Sequence, residues 1–289
     1  MLLPLWVDAT LAGFFGLLIG SFLNVVIYRL PKMLEHQWAL ECAELSGTTP
    51  LSTEPFNLVV PRSRCQHCGH RISWYENIPV LSYLVLFGKC RVCKSHISLR
   101  YPAIELLTAT FFSLAAIHYG FTLVGFAWAV FSAILIAQFF IDFDTQILPD
   151  DLNYLLLWLG LAAAALGWTI PLKSAVFGAM AGYLSLWMVY HIYRILTQKE
   201  GMGYGDFKLL AGLGAWFGFE YLLAVILLSS LVGSLIGGTL LISGKLTDKN
   251  IPIAFGPFLA GAGLLSLALG PGRLEQLVPF AFPFSSLIR

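Results

Sequence analysis

Two short stretches place carboxylates at the ends of apolar runs: Ile141-Asp142-Phe143-Asp144-Thr145-Gln146-Ile147-Leu148-Pro149-Asp150 and Gly203-Tyr204-Gly205-Asp206-Phe207-Lys208. An aspartate that reaches mid-bilayer costs roughly 2.5–3.5 kcal/mol by insertion scales, so acids in such places are functional suspects. Two that a fold brings together can hydrolyse an amide. The ionised acid takes a proton from a water as that water attacks the carbonyl carbon. The protonated acid donates to the oxyanion and then to the leaving nitrogen. Like charges about 3 Å apart cannot both ionise, so such a pair shares a proton. Gly203 and Gly205 keep side chains away from the approach to Asp206. Its partner has four candidates, Asp142, Asp144, Asp150 and Asp151. Asp142 directly follows Gln138-Phe139-Phe140-Ile141 and lies deepest. Asp150 and Asp151 follow Pro149, where they fit the N-cap and first turn of the next helix. Lys208 either tunes Asp206 or snorkels toward lipid phosphate, and for a lone lysine at a span end snorkelling is the commoner role.

A second chemistry lies in four of the five cysteines, arranged as Cys65-Gln66-His67-Cys68 and Cys90-Arg91-Val92-Cys93 with 21 residues between the pairs. Each Cys-x-x-Cys turn aims two thiolates at one tetrahedral ion, so two turns complete a closed four-thiolate zinc site. Disulfides are disfavoured if the segment is cytosolic, because that compartment is reducing. His67, His70 and His96 stand nearby as substitute ligands, but four cysteines already close the site. Cys42 is left unpaired, with no chemistry assigned.

The elements that must position these groups are apolar helices. Of 289 residues 58% are hydrophobic and 11% charged, less than half the roughly 25% charge of soluble domains. Nine of the 17 Lys and Arg fall from Arg29 to Arg100, which marks that stretch as cytosolic. The N-terminus lacks a basic n-region and a small-residue cleavage site, so the run from about Ala9 to Tyr28 reads as a retained first span. The ten-residue run Ile78–Phe87 is too short to cross and reads as packed or interfacial. Further spans are expected at about Pro102–Tyr119, Phe121–Ile141, Leu152–Ile170, Leu172–Leu196 and Ile253–Leu269. Phe207–Ser243 is too long for one span and reads as a hairpin, which returns Lys245 and Lys249 to the cytosol; Leu274–Ile288 is then interfacial. Alternation puts both acid motifs on the cytosolic side. The expectation is an all-α polytopic membrane protein of about eight transmembrane helices, with a cytosolic zinc-binding loop between the first two spans. Residues 1–120 hold the first span, zinc loop and second span, and 121–289 hold the acids.

Asp142 with Leu148-Pro149-Asp150, and Gly203-x-Gly205-Asp206-x-Lys208, resemble the hallmark motifs of type IV prepilin peptidases. So do Gly20-Ser21-Phe22-Leu23-Asn24-Val25-Val26-Ile27-Tyr28-Arg29-Leu30-Pro31, the paired Cys-x-x-Cys, and Arg100-Tyr101-Pro102-Ala103-Ile104-Glu105 after it. The match runs from about Gly16 to about Pro257. The resemblance implies Asp142 and Asp206 as the catalytic acids of an aspartic endopeptidase in the bacterial inner membrane. It implies cleavage of the basic leader from prepilins and type II secretion pseudopilins at the cytoplasmic face. It further implies N-methylation of the new N-terminal residue, usually phenylalanine, with S-adenosylmethionine as donor. No Rossmann-type phosphate loop is present, so the methyltransferase rests on resemblance alone, and 1–120 is assigned to it. Asn24 and Glu105 are polar groups within spans; they serve either its cofactor site or as glue, paired with each other, Arg29 or Arg100. No nucleic-acid partner is expected; membrane lipid is. A proton- or cation-coupled transporter is the rival reading of the acids, and a docking module on a membrane anchor that of the cysteines.

Overall fold

The computed structural model describes residues 4–47, 56–199, 201–243, 254–270, 273–277, 279 and 282. Lys245, Lys249 and most of the expected interfacial segment after Leu277 lie outside the described residues. The long elements are all helical: α1 (Leu5–Leu45), α2 (Leu81–Val85), α3 (Arg100–Tyr119), α4 (Leu123–Thr145), α5 (Asp150–Ala165), α6 (Leu172–Thr197), α7 (Tyr204–Phe217), α8 (Phe219–Ile242), α9 (Gly256–Leu269) and α10 (Arg273–Leu277). Among the described residues α1, α4, α6 and α8 are long and apolar enough to cross a membrane, and α9 is a shorter apolar helix. Two compact units are formed, Met1–Phe121 and Thr122–Arg289.

In the first unit α1 does not stop at Tyr28 but continues through Pro31 to Leu45. At 1.5 Å per residue its 41 residues run about 60 Å, twice the roughly 30 Å hydrocarbon core. The segment after Pro31, Lys32-Met33-Leu34-Glu35, is rich in strong helix formers, which carries the helix past one lost backbone bond. Helix α3 packs along α1 on a stripe of small residues. A Cβ added at Gly13, Gly16 or Gly20 would fall 2.6 Å from Ser113 Oγ, Ala109 Cα or Glu105 Cα. Backbones that close exchange dispersion contacts where lipid offers no hydrophobic gain. The opposite face of α1 exposes Trp6, Phe14, Phe15, Leu18 and Phe22.

The second unit is built around α4, whose Phe131, Leu135 and Ile136 are completely buried. Trp216 of α7 packs on Trp128 and Phe131, and its indole N–H donates to the Leu156 carbonyl of α5 at 2.9 Å. Helices α6 and α7 meet where Gly178 and Gly214 leave no room for a Cβ on either. The expected hairpin over Phe207–Ser243 is two helices, α7 and α8, divided at Gly218, whose φ of +82° suits glycine. Helix α5 ends at Ala165, so its 16 residues span only about 24 Å.

Candidate active site and metal centre

Asp142 lies in the last turn of α4 and Asp206 in the first turn of α7. Both are buried, 4% and 7% exposed, and close enough that the Asp142 charge acts on Asp206. Each meets backbone at a helix start: the Gly256 amide, opening α9, bonds the Asp142 carboxyl group, and the Gly203 amide bonds that of Asp206. Helix N-termini present unsatisfied N–H groups and favour anions, which holds the two carboxylates in place. Asp142 Oδ2 and Asp206 Oδ1 are nonetheless buried with no hydrogen-bond partner among the described residues. Buried polar atoms are rarely orphaned, so two such atoms on acids whose charges interact mark a place for water or substrate.

The space is set by glycine and leucine. A Cβ at Gly256 would fall 2.5 Å from Asp142 Oδ2 and 2.9 Å from Leu148 Cδ1; one at Gly205 would fall 2.7 Å from Leu148 Cβ. Leu148 therefore fills the gap between the starts of α7 and α9, and a side chain at Gly205 or Gly256 would have to displace it. One turn before Asp142, buried Gln138 donates to Asn153 Oδ1 at 2.7 Å, tying α4 to α5.

The other candidates separate cleanly. Asp144 and Asp151 are exposed. Pro149, not an aspartate, is the N-cap of α5; Asp150 and Asp151 occupy the first turn, where the helix dipole favours acids. Lys208 does not snorkel: its Nζ donates to both oxygens of Asp150 at 2.7 Å and sits 5.5 Å from the Tyr154 ring. The brace joins the start of α5 to α7 one half-turn beyond Asp206.

Asn24 and Glu105 find backbone partners. Asn24 Nδ2 donates to the carbonyls of Gly20 and Tyr101, Glu105 Oε2 accepts from the Val80 amide at 2.7 Å, and the Glu105 carboxyl group also bonds the Ser21 side chain. Arg29 instead donates to the carbonyls of Asn57 and Pro61.

The four cysteine sulfurs lie within 4.8 Å of one another, with Cys65 and Cys93 3.8 Å apart. Tetrahedral zinc with bonds of about 2.3 Å requires sulfurs about 3.8 Å apart, so the cluster fits that ion. The two knuckles repeat one fold. Cys65 N–H donates to His70 O and Gly69 N–H to Cys65 O; Cys90 N–H donates to Ser95 O and Lys94 N–H to Cys90 O. Gly69 and Lys94 occupy the same left-handed position at φ +72° and +58°. The Cys68 and His67 amides lower the Cys65 thiol to about 6. The Ser95 hydroxyl also lowers Cys93. Cys68 is pushed up to about 11, the His70 amide being outweighed by burial and the neighbouring thiols. Four thiols this close resist joint ionisation until a dication shares them. No histidine joins the cluster. His70 bonds Glu76 at 3.2 Å, and Glu76 is held ionised by the Ser73 amide first and His70 second. Cys42 is exposed on α1, outside the cluster.

Sequence reading missed Gly256 and the Gln138–Asn153 pair. Gly256-Pro257 is legible as a helix start, since proline is favoured there. Nothing local says that this start lands on Asp142.

Residues 14–119 match the Bacterial Peptidase A24 N-terminal domain and residues 129–238 the Type IV leader peptidase family. The chain is 49% identical over 267 residues, 92% of each chain, to the prepilin leader peptidase/N-methyltransferase of Pseudomonas aeruginosa strain PAO1. The proteins of that name from Dichelobacter nodosus and Neisseria gonorrhoeae are 50% and 46% identical, over 94% of each chain and over 88% and 87% respectively. No solved structure matches. With that identity across nearly its whole length, and with its acids and cysteines gathered into two sites, the chain belongs to the type IV leader peptidase family.

Proposed function

We propose that this chain is a bifunctional membrane enzyme that cuts the leader from type IV prepilins and type II secretion pseudopilins and then methylates the new N-terminal amine. One observation carries the peptidase: two buried aspartates at helix ends, Asp206 within reach of the Asp142 charge, each with an orphaned oxygen. Asp142 and Asp206 are the catalytic acids. They hold the lytic water between Asp142 Oδ2 and Asp206 Oδ1. As the water oxygen bonds the scissile carbonyl carbon, its proton passes to the ionised aspartate, and the protonated aspartate donates to the carbonyl oxygen. Collapse breaks the C–N bond: the aspartate that took the water's proton gives it to the leaving nitrogen, and a diol hydroxyl returns its proton to the other aspartate as the carboxyl product forms. Both acids thereby return to their starting state. Acids at helix ends rather than mid-helix also favour hydrolysis at the membrane edge over ion transport.

S-adenosylmethionine, when bound, supplies an electrophilic methyl group on a sulfonium; the chain's task is to hold it beside a neutral amine. Residues 1–120 form the methyltransferase part and 121–289 the peptidase part. The cysteines Cys65, Cys68, Cys90 and Cys93 hold a structural zinc, supported by their sulfur spacing. Eight helices, α1 and α3 to α9, cross the bacterial inner membrane, the shorter ones by packing within the bundle, and the acids face the cytoplasm. The clustering of positive charge before Arg100 supports that orientation.

The test uses purified protein in detergent with a prepilin-like peptide and no ion gradient. Asp142→Asn and Asp206→Asn should each abolish cleavage while the protein stays folded, and Asp144→Asn should cut. Full activity in either dyad variant overturns the assignment.

A further inference from the structure

A cavity of about 340 Å³ opens beside the cysteine knuckles, within the first unit. Its walls come from the turn at Trp74–Asn77, from α2 and from the second knuckle: Tyr75, Glu76, Leu81, Val85, Leu86 and Arg91 are among its residues. Most of the lining is apolar, and one group is not accounted for. The Glu76 side chain is 6% exposed, and its Oε1 is buried without a hydrogen bond. Oε2 is satisfied by the Ser73 amide and His70, whereas Oε1 stands 3.8 Å from Arg91, too far for a hydrogen bond. A buried carboxylate oxygen whose one partner is an ion pair at 3.8 Å still lacks a hydrogen bond, so a ligand with a donor belongs against it. On the rim, the Arg91 guanidinium bonds the Tyr75 hydroxyl at 2.7 Å and lies 5.5 Å from its ring. The site thus offers an apolar wall, an aromatic ring, a buried acceptor and a guanidinium.

We infer that this cavity is the S-adenosylmethionine pocket. The inference rests on the methyltransferase reading and deepens it. The cofactor needs an apolar and aromatic surface for adenine, an acceptor for its hydroxyls and cationic centres, and a cation for its carboxylate. Each has one counterpart here, and the volume suits a ligand of that size. Transfer from such a site is balanced: the amine nitrogen bonds the methyl carbon, the carbon–sulfur pair returns to sulfur as a neutral thioether, and the amine proton leaves to solvent. The pocket also gives Glu105 its place. By bonding the Val80 amide, Glu105 fixes the start of α2, whose Leu81 and Val85 form the wall. Val80 sits at φ +58°, unfavourable for a β-branched residue, and such strain persists where surroundings impose it. Glu105 is a positioning residue.

Equilibrium dialysis of full-length, zinc-loaded protein in detergent against radiolabelled S-adenosylmethionine tests this. Glu76→Gln removes the buried charge; Leu81→Trp fills the cavity and leaves the Glu76 network alone. Both should weaken binding about tenfold or more, the cost of losing a charged hydrogen bond or the space itself. Leu81→Trp should keep its zinc, which a merely structural role for the wall would pair with unchanged binding. Wild-type affinity in Leu81→Trp overturns the pocket and leaves the methyltransferase standing. A wild-type protein that neither binds the cofactor nor methylates a peptide overturns the underlying reading.

Discussion

At the scale of single residues, the candidate active site is defined as much by absent side chains as by present ones. Gly256 lets the start of α9 reach the Asp142 carboxylate, and any Cβ there would fall 2.5 Å from Oδ2. Gly256→Ala should therefore keep the fold, since Leu148 can shift, yet displace the acid. A displacement near 1 Å costs on the order of a hundredfold in rate, so cleavage should fall at least about that far while melting changes little. Cleavage at the wild-type rate would mean that α9 does not set the acid. The motif residues Asp142 and Asp206 could be picked out as candidates because glycine and acid at fixed spacing need no tertiary knowledge. Gly256 could not, because it lies 114 positions from the residue it serves. The same holds for Lys208, whose partner Asp150 is 58 residues away; from sequence alone a lysine at a span end has lipid as its default neighbour.

Elements differ in how far their sequences determine them. The cysteine knuckles were readable from spacing, since each is a local turn whose bonds join residues five apart or fewer. The end of α1 was not, because the apolar run ends at about Tyr28 while the helix formers after Pro31 extend the helix to Leu45. The repeat within the knuckles gives a test of its own. Gly69 fills the left-handed position of the first at φ +72°, and Lys94 fills that of the second at +58°. A side chain there costs roughly 1–2 kcal/mol, offset in part by glycine's greater freedom when unfolded. Lys94→Gly should stabilise the loop by about 0.5–1 kcal/mol, seen as a higher melting temperature or slower zinc loss to a chelator. A lower melting temperature would mean that the lysine side chain contributes more than its backbone costs.

At the scale of the whole molecule, the two sets of functional groups are held by separate packing. The cysteines, the cavity and Glu105 belong to the unit Met1–Phe121, whereas Asp142, Asp206 and Gly256 belong to Thr122–Arg289. Neither site borrows a described hydrogen bond from the other. Asp206 is braced by Gly203 and by the α5–α7 link, and Glu76 by Ser73 and His70. Removing a group from one site should then leave the other's chemistry intact, as distant substitutions without shared partners act independently. Asp206→Asn should lose cleavage yet methylate a synthetic peptide that already begins with the mature phenylalanine. Glu105→Gln should do the reverse: a carbonyl oxygen in place of the carboxylate still meets the Val80 amide, but weakly, so methylation should fall several-fold with cleavage retained. Zinc content measured on the same samples separates this from collapse of the loop. If Asp206→Asn failed to methylate the pre-cut peptide while still folded and zinc-loaded, the two activities would share one site, and the division at Phe121 would be one of packing alone.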